Sequence, residues 1–108
     1  MGEKSTADLW NLLNRKWSIL IIKQFISDRP SRFRDLLKKL NGISSRTLAG
    51  RLREFEMAGL LSRKMYSEIP PKVEYTLTKK GKELRNVIGR IEQLTIKWRK
   101  DHLQSFRK

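Results

Sequence analysis

Two short runs of helical periodicity, Ser31–Gly42 and Ser45–Gly59, follow one another almost without a break, and no other feature restricts the fold of this chain so strongly. In "SRFRDLLKKLNG" the residues Phe33, Leu36, Leu37 and Leu40 recur at helical spacing, which places them on one face of a helix. Asn41-Gly42 closes that helix as a left-handed cap, because glycine takes positive φ without a Cβ penalty. The pair Ser44-Ser45 then offers an N-cap for "RTLAGRLREFEMAG", since a serine hydroxyl accepts from backbone N–H groups that the first helical turn leaves unpaired. Leu48, Leu52 and Phe55 form the inner face of this second helix, and Gly59 stops it. Two short helices joined by a glycine-containing turn make a helix-turn-helix.

The segments on either side give that motif a setting. Leu60–Tyr66 and Lys72–Thr78 both alternate with period two, the second with Val73, Tyr75 and Leu77 to the inside, so a β-hairpin is expected. Between them "SEIPP" cannot extend the ladder, because its prolines lack an N–H. Thr78 can cap a last helix with Leu84, Ile88, Ile91, Leu94 and Trp98 in a near-heptad seam. Upstream, "STAD" has the spacing of a capping box for a first helix through about Leu13, and "KWSILIIKQFI" (16–26) reads as a buried central helix ended by "SDRPS". The expected fold is mainly α with a small β-hairpin, a winged helix-turn-helix in one domain. Its parts are an N-terminal helix over 5–14, a core over 16–78, and a C-terminal helix with a basic tail over 79–108.

Charge narrows the function. Lys and Arg number 25 against 11 acids, a net charge of +14 that calls for a polyanionic partner. No apolar run approaches the ~20 residues of a membrane span, and the first ten residues lack an apolar signal core, so a cytoplasmic protein without a membrane partner is expected. Enzyme chemistry finds no footing. The single histidine, His102, lies in the polar tail, Glu54 and Glu56 point in different directions on their helix, and there is no metal-ligand cluster or phosphate-cradling glycine loop. Neither a metal nor any other cofactor is expected.

The stretch "RFRDLLKKLNGISSRTLAGRLREFEMAGLLSRKMYSEIPPKVEYTLTKKGKEL" resembles the HxlR-type winged helix-turn-helix regulators. The likeness is strongest in "GIS", "L..RLREFE..GLL.R" and "Y.E.PPKVEY.LT..G", and it covers roughly Trp17 to Leu84. It implies a homodimeric transcription regulator of prokaryotic type that binds double-stranded DNA and dimerises through its N- and C-terminal helices. Two departures stand out. Many family members carry an oxidant-sensing cysteine near the N-terminus, and this chain has no cysteine at all. The family also tends to have glycine just before the "KW" of the central helix, where this chain has Asn14 and Arg15.

A major groove accepts a helix, and the N-terminal part of a recognition helix does most of the base reading. With Leu48, Leu52 and Phe55 inward over a recognition helix spanning 45–58, Arg46, Gly50, Arg53 and Met57 face outward at ~100° per residue. Ser45, Arg46, Thr47 and Gly50 are the candidates for base edges, Arg46 as a bidentate partner of guanine. Gly50 either admits the DNA backbone or a neighbouring protein helix. Arg53, Arg51 and Arg32 are phosphate candidates, and Arg51 is equally a partner for Glu54 or Glu56. Of Ser44 and Ser45, one caps the helix and the other is free for a phosphate. Arg63, Lys64 and Lys72 flank the wing (61–78) and complete the DNA set.

For a dimer the candidates are Leu9, Trp10, Leu12 and Leu13 with Leu84, Ile88, Ile91, Leu94 and Trp98, since a domain this small leaves so long a helix short of a partner. The function expected is a homodimeric repressor reading an inverted-repeat operator. The alternative is a winged helix that binds nucleic acid or an acidic protein without an operator. A small-molecule effector near Trp10, Trp17 and Trp98 is conceivable, but nothing in the sequence indicates one.

Overall fold

The computed structural model describes residues 9–106 of the chain, and the side chains of 9–103. The "STAD" capping motif lies outside the described residues. The order is α1 (9–14), α2 (Ser18–Lys23), β1 (Ser31–Arg32), α3 (Phe33–Lys39), α4 (Ser45–Met57), β2 (Leu61–Tyr66), β3 (Lys72–Leu77) and α5 (Lys79–Phe106). Helices α3 and α4 with the hairpin β2–β3 make a winged helix-turn-helix. Gly42 at φ 95° and Gly59 at φ 76° provide the left-handed positions that end α3 and α4.

The core forms where the periodic apolar faces meet. Ile21, Ile22 and Phe25 from α2 and its end, Leu36 and Leu40 from α3, and Leu48, Leu52 and Phe55 from α4 are all buried. Leu60, Leu61, Tyr75, Leu77 and Ile88 close the cluster from the wing and α5. Each fully buried Leu or Phe contributes about 1.5–3 kcal/mol relative to an exposed one, so this cluster is the main source of stability.

Two expectations are corrected. The central helix is six residues long rather than spanning 16–26. It begins only after Trp17, which sits at φ 81°, and its Ile19 and Leu20 remain 43% and 46% exposed. The chain must reverse between α1 and α2, and with Asn14 and Arg15 where a glycine would ease the turn, Trp17 takes the left-handed conformation instead. Such a position costs a non-glycine residue ~1–3 kcal/mol unless packing holds it. Here the Trp17 ring packs against the core, close to Gly42.

The second correction concerns the sheet, which has three strands in the order β1-β3-β2. Ser31 pairs with Tyr75 and Arg32 with Glu74, antiparallel. A two-residue strand has no periodicity of its own; the free edge of β3 creates it. Arg32 therefore belongs to the sheet as well as capping α3.

Wing, recognition helix and α5 meet at one junction. The Thr78 hydroxyl donates to the Gly59 carbonyl at 2.6 Å and accepts from the Gly81 N–H at 3.1 Å, while the Thr78 N–H donates to the Leu60 carbonyl at 3.0 Å. Thr78 thus caps α5, as its sequence position suggested, and ties that cap to the end of α4. Gly81 presses on the same carbonyl: a Cβ there would lie 2.1 Å from Leu60 O. Farther along, Arg85 donates to the Phe25 carbonyl at 3.0 Å, and Lys82–Asp28 (3.3 Å) and Lys23–Glu92 (3.1 Å) pair across the helices.

Beyond these contacts α5 projects from the body, which explains an extent of 61 Å and a radius of gyration of 16.5 Å, against about 13 Å for a compact domain near this size. Gly81→Ala is expected to cost about 3 kcal/mol, because the obstacle is backbone that cannot repack. Urea unfolding of the variant against the parent measures that loss.

Candidate nucleic-acid interface

Helix α4 is held by its inner face and presents its outer one. Leu48, Leu52 and Phe55 have no exposure, and Ser45, Arg46, Ala49, Gly50, Arg53 and Met57 are exposed in the repeating interval of a helix. The start of the helix is fixed by Ser44, whose hydroxyl accepts from the Thr47 N–H at 3.0 Å and donates to the Thr47 hydroxyl at 2.9 Å. Ser44 is therefore the cap, which leaves Ser45 and Arg46 in the first turn with outward side chains and Thr47 half-buried beside them. A Cβ on Gly50 would meet nothing within 4 Å, so no neighbouring helix of this chain requires the glycine.

Arg51, one of the phosphate candidates, faces the protein. Its Nε donates to the Lys16 carbonyl at 3.0 Å and its Nη1 pairs with Glu54 at 3.2 Å, with its side chain only 19% exposed. Glu54 also takes Arg15 at 3.1 Å. This small network straps the recognition helix to the turn that Trp17 strains. The sequence left Arg51 open between phosphate and Glu54 or Glu56; in the structure its guanidinium meets Glu54 and a backbone carbonyl 35 positions away.

Across from α4, the wing defines the other wall of a groove of about 300 Å³. Arg32, Arg34, Arg63 and Lys72 line it together with Phe33, Ala49, Val73 and Tyr75. Arg63 lies opposite Tyr75 in the ladder. Burial pushes the Tyr75 phenol upward, against the opposing hydrogen bond and charge of Arg63. On the outer face of the wing, Lys64 and Lys72 place their ammonium groups 5.0 and 4.8 Å from the centre of the Tyr66 ring, and Lys72 pairs with Glu74 at 3.3 Å. The proline loop carries Ile69 fully exposed at the tip.

One protein thus brings Arg32, Ser45, Arg46, Gly50, Arg53 and Arg63 to accessible positions on the helix and wing, and holds Lys64 and Lys72 in a cluster beside them. The profile of the HxlR-like helix-turn-helix family matches residues 12–103 of this chain. The chain belongs to that family.

Relatives of this HxlR-like chain are regulators by name. The HTH-type transcriptional regulator sll1512 of Synechocystis sp. is 41% identical over 82% of the chain. The chain spans 64% of that relative's length, and 73% of the HTH-type transcriptional regulator YodB of Bacillus subtilis, to which it is 37% identical over 77% of its own residues. Among solved structures, reduced YodB superposes with a TM-score of 0.67 at 36% identity, covering 79% of this chain and 82% of that one. A protein of Enterococcus faecalis V583 assigned to the MarR family of regulators reaches 0.79 at 29% identity, covering 94% and 92%.

The dimer candidates divide. Leu12 and Ile88 are buried in the chain's own core, and Leu9 and Leu84 pack against it. Leu13 is half-buried, and Trp10, Ile91, Leu94 and Trp98 are exposed together with Val87, which the near-heptad count passed over. Trp10, Trp17 and Trp98 do not line the groove between α4 and the wing.

Sequence reasoning also missed Arg34 and Ala49. Both sit on the polar side of their helices, where a basic or small residue carries no signal until the wing is placed opposite. Arg51→Ala is expected to lower stability by about 1–2 kcal/mol through the lost strap, whereas Arg53→Ala leaves stability unchanged and weakens duplex binding. Thermal unfolding and a fluorescence anisotropy titration separate the two.

Proposed function

We propose that this HxlR-like chain is a homodimeric repressor that reads an inverted-repeat operator. The observation that carries the reading is the outer row of α4: Ser45, Arg46, Gly50 and Arg53 are exposed beside a cation-rimmed groove while the inner row anchors the helix. Ser45 and Arg46 address base edges in the major groove, Arg46 through the two acceptors of guanine. Gly50 lets the sugar-phosphate backbone approach α4 closely. Arg32, Arg34, Arg53 and Arg63 take phosphates, which sets register without reading sequence. Lys64 and Lys72 bring the wing against the neighbouring groove.

The dimer follows from the apolar row that α5 leaves exposed. Val87, Ile91, Leu94 and Trp98 recur at intervals of four, three and four along α5, and all four are exposed in the single chain. Such a row is a coiled-coil seam awaiting a second helix. A two-fold dimer would set its recognition helices on half-sites about 34–36 Å apart. Replacing both Ile91 and Leu94 by Glu is expected to yield a folded monomer, read by analytical ultracentrifugation and circular dichroism; an unchanged dimer would place the interface elsewhere.

Selection of genomic fragments at near-physiological salt, followed by titration of the enriched duplex and a scrambled control, tests the operator. Recovery of an inverted repeat is expected, with Arg46→Ala losing about 1–3 kcal/mol on it and far less on the control. Equal, steeply salt-dependent binding to every duplex would replace the repressor with a charge-driven binder, a reading that the net charge of +14 keeps in play.

A further inference from the structure

Glu74 is a carboxylate in the middle of a basic surface. It lies on the central strand of the sheet, with Arg32 of β1 opposite on one side and Lys64 of β2 opposite on the other. Lys72, two residues back on the same strand, pairs with it at 3.3 Å. One step toward the wing tip, Tyr66 faces Lys72 across the ladder, and its ring carries both lysine ammonium groups at 5.0 and 4.8 Å. Burial pushes the Glu74 carboxyl up, but hydrogen bonds from Tyr66 and Lys72 and the charges of Lys72 and Arg32 outweigh it and hold the group below the usual carboxylate range. It is therefore ionised at neutral pH.

A negative charge here opposes attraction to any polyanion, so its presence on a duplex-facing wing needs a reason. Free lysines neutralise phosphates wherever they occur, and this sequence-independent term supplies nearly all nonspecific binding. Lysines held by a carboxylate and an aromatic ring meet phosphates only where the duplex presents them at those positions. Preorganisation of this kind also removes the ordering cost of long side chains at the moment of binding.

We propose that Glu74 is a positioning residue for duplex recognition: it holds Lys72 in place on the wing and suppresses binding to random duplex, so that the wing adds to discrimination. This rests on the duplex-reading function proposed above. The effect of Glu74 runs through the cations around it.

The experiment uses the full chain, the enriched duplex and its scrambled control, titrated across a series of salt concentrations. For Glu74→Gln, which keeps the shape and the hydrogen-bonding capacity, binding to the scrambled duplex is expected to tighten and its log K to fall more steeply with log salt by about one unit, the value of one more neutralised phosphate. The ratio of affinities for the two duplexes is expected to fall about fivefold, the scale of one lost ordered contact. A ratio that stays within about twofold of the parent's overturns the proposal.

A double-mutant cycle with Lys72→Met separates positioning from a general stabilising role. The fivefold loss should shrink below about twofold in the Lys72→Met background, and an equal loss in both backgrounds overturns the proposal. Should Glu74→Gln fail to fold by circular dichroism, Glu74→Asp withdraws the charge from Lys72 without removing it. Discrimination is then expected to fall, and unchanged discrimination overturns the proposal. If the parent itself prefers no duplex, the operator reading fails first. An unchanged salt slope for the folded variant on random duplex would then overturn the restraint of Lys72 as well.

Discussion

The Leu60 carbonyl is the point on which the rest of this structure depends. It receives the Thr78 N–H at 3.0 Å and stands where a Cβ on Gly81 would have to go. Directly before it, the Gly59 carbonyl takes the Thr78 hydroxyl, and Lys80 donates to the Ala58 carbonyl at 3.1 Å. The recognition helix closes its own last carbonyls, because the N–H groups of Ala58, Gly59 and Leu60 donate back to Glu54, Glu56 and Phe55. The three carbonyls that follow it are taken by Thr78 and Lys80 at the start of α5. The same residues close the hairpin, since Leu61 pairs with Leu77 immediately beside them. Recognition helix, wing and projecting helix share one hub, so the angle between the helix that reads and the helix with the exposed seam is set by hydrogen bonds to backbone carbonyls instead of a flexible linker.

The second organising constraint is the division of cations into those the fold engages and those it leaves outside. Arg51 and Arg15 converge on Glu54, Lys23 and Lys82 tie α2 and its following turn to α5, and Arg85 reaches the Phe25 carbonyl. Ion pairs as exposed as most of these contribute only about 0–1 kcal/mol each. Their importance is directional: they orient elements whose apolar contacts alone would permit some sliding. Arg46, Arg53 and Arg63 sit outside that set of ion pairs, on the helix and wing that form the candidate interface. Lys72 stands between the two groups, ion-paired and stacked on Tyr66 yet on the outer face of the wing.

The two helix ends of the helix-turn-helix were legible because each is set by a local rule. Ser44 caps through a hydroxyl three residues from its partner, and Gly42 and Gly59 occupy left-handed positions that side chains avoid. The inner face of α4 was legible from period alone, and Leu48, Leu52 and Phe55 are indeed without exposure. The hairpin followed from its period of two. The central helix was misjudged for the opposite reason: its run of isoleucines and leucines is apolar all round, and such a run carries no record of where a helix begins or which face it buries. The Arg51 contact to the Lys16 carbonyl, the wall opposite Arg34, and the cross-strand neighbours of Glu74 had no local signature, because they come from other elements.

By itself, then, the sequence determined the order of the helices and the hairpin, the caps, the inward row of the recognition helix and the sign of the partner's charge, since each depends on residues within a turn or a strand of one another. Only the tertiary structure decided that β1 exists, that Trp17 takes the left-handed turn, that Arg51 faces inward, and that Arg32 and Lys64 from two other strands stand opposite Glu74. Each of these is a contact between segments far apart in the chain, formed when burial of the shared core brings them together. Periodicity cannot express it, because the spacing that matters there is measured in ångströms and not in residues.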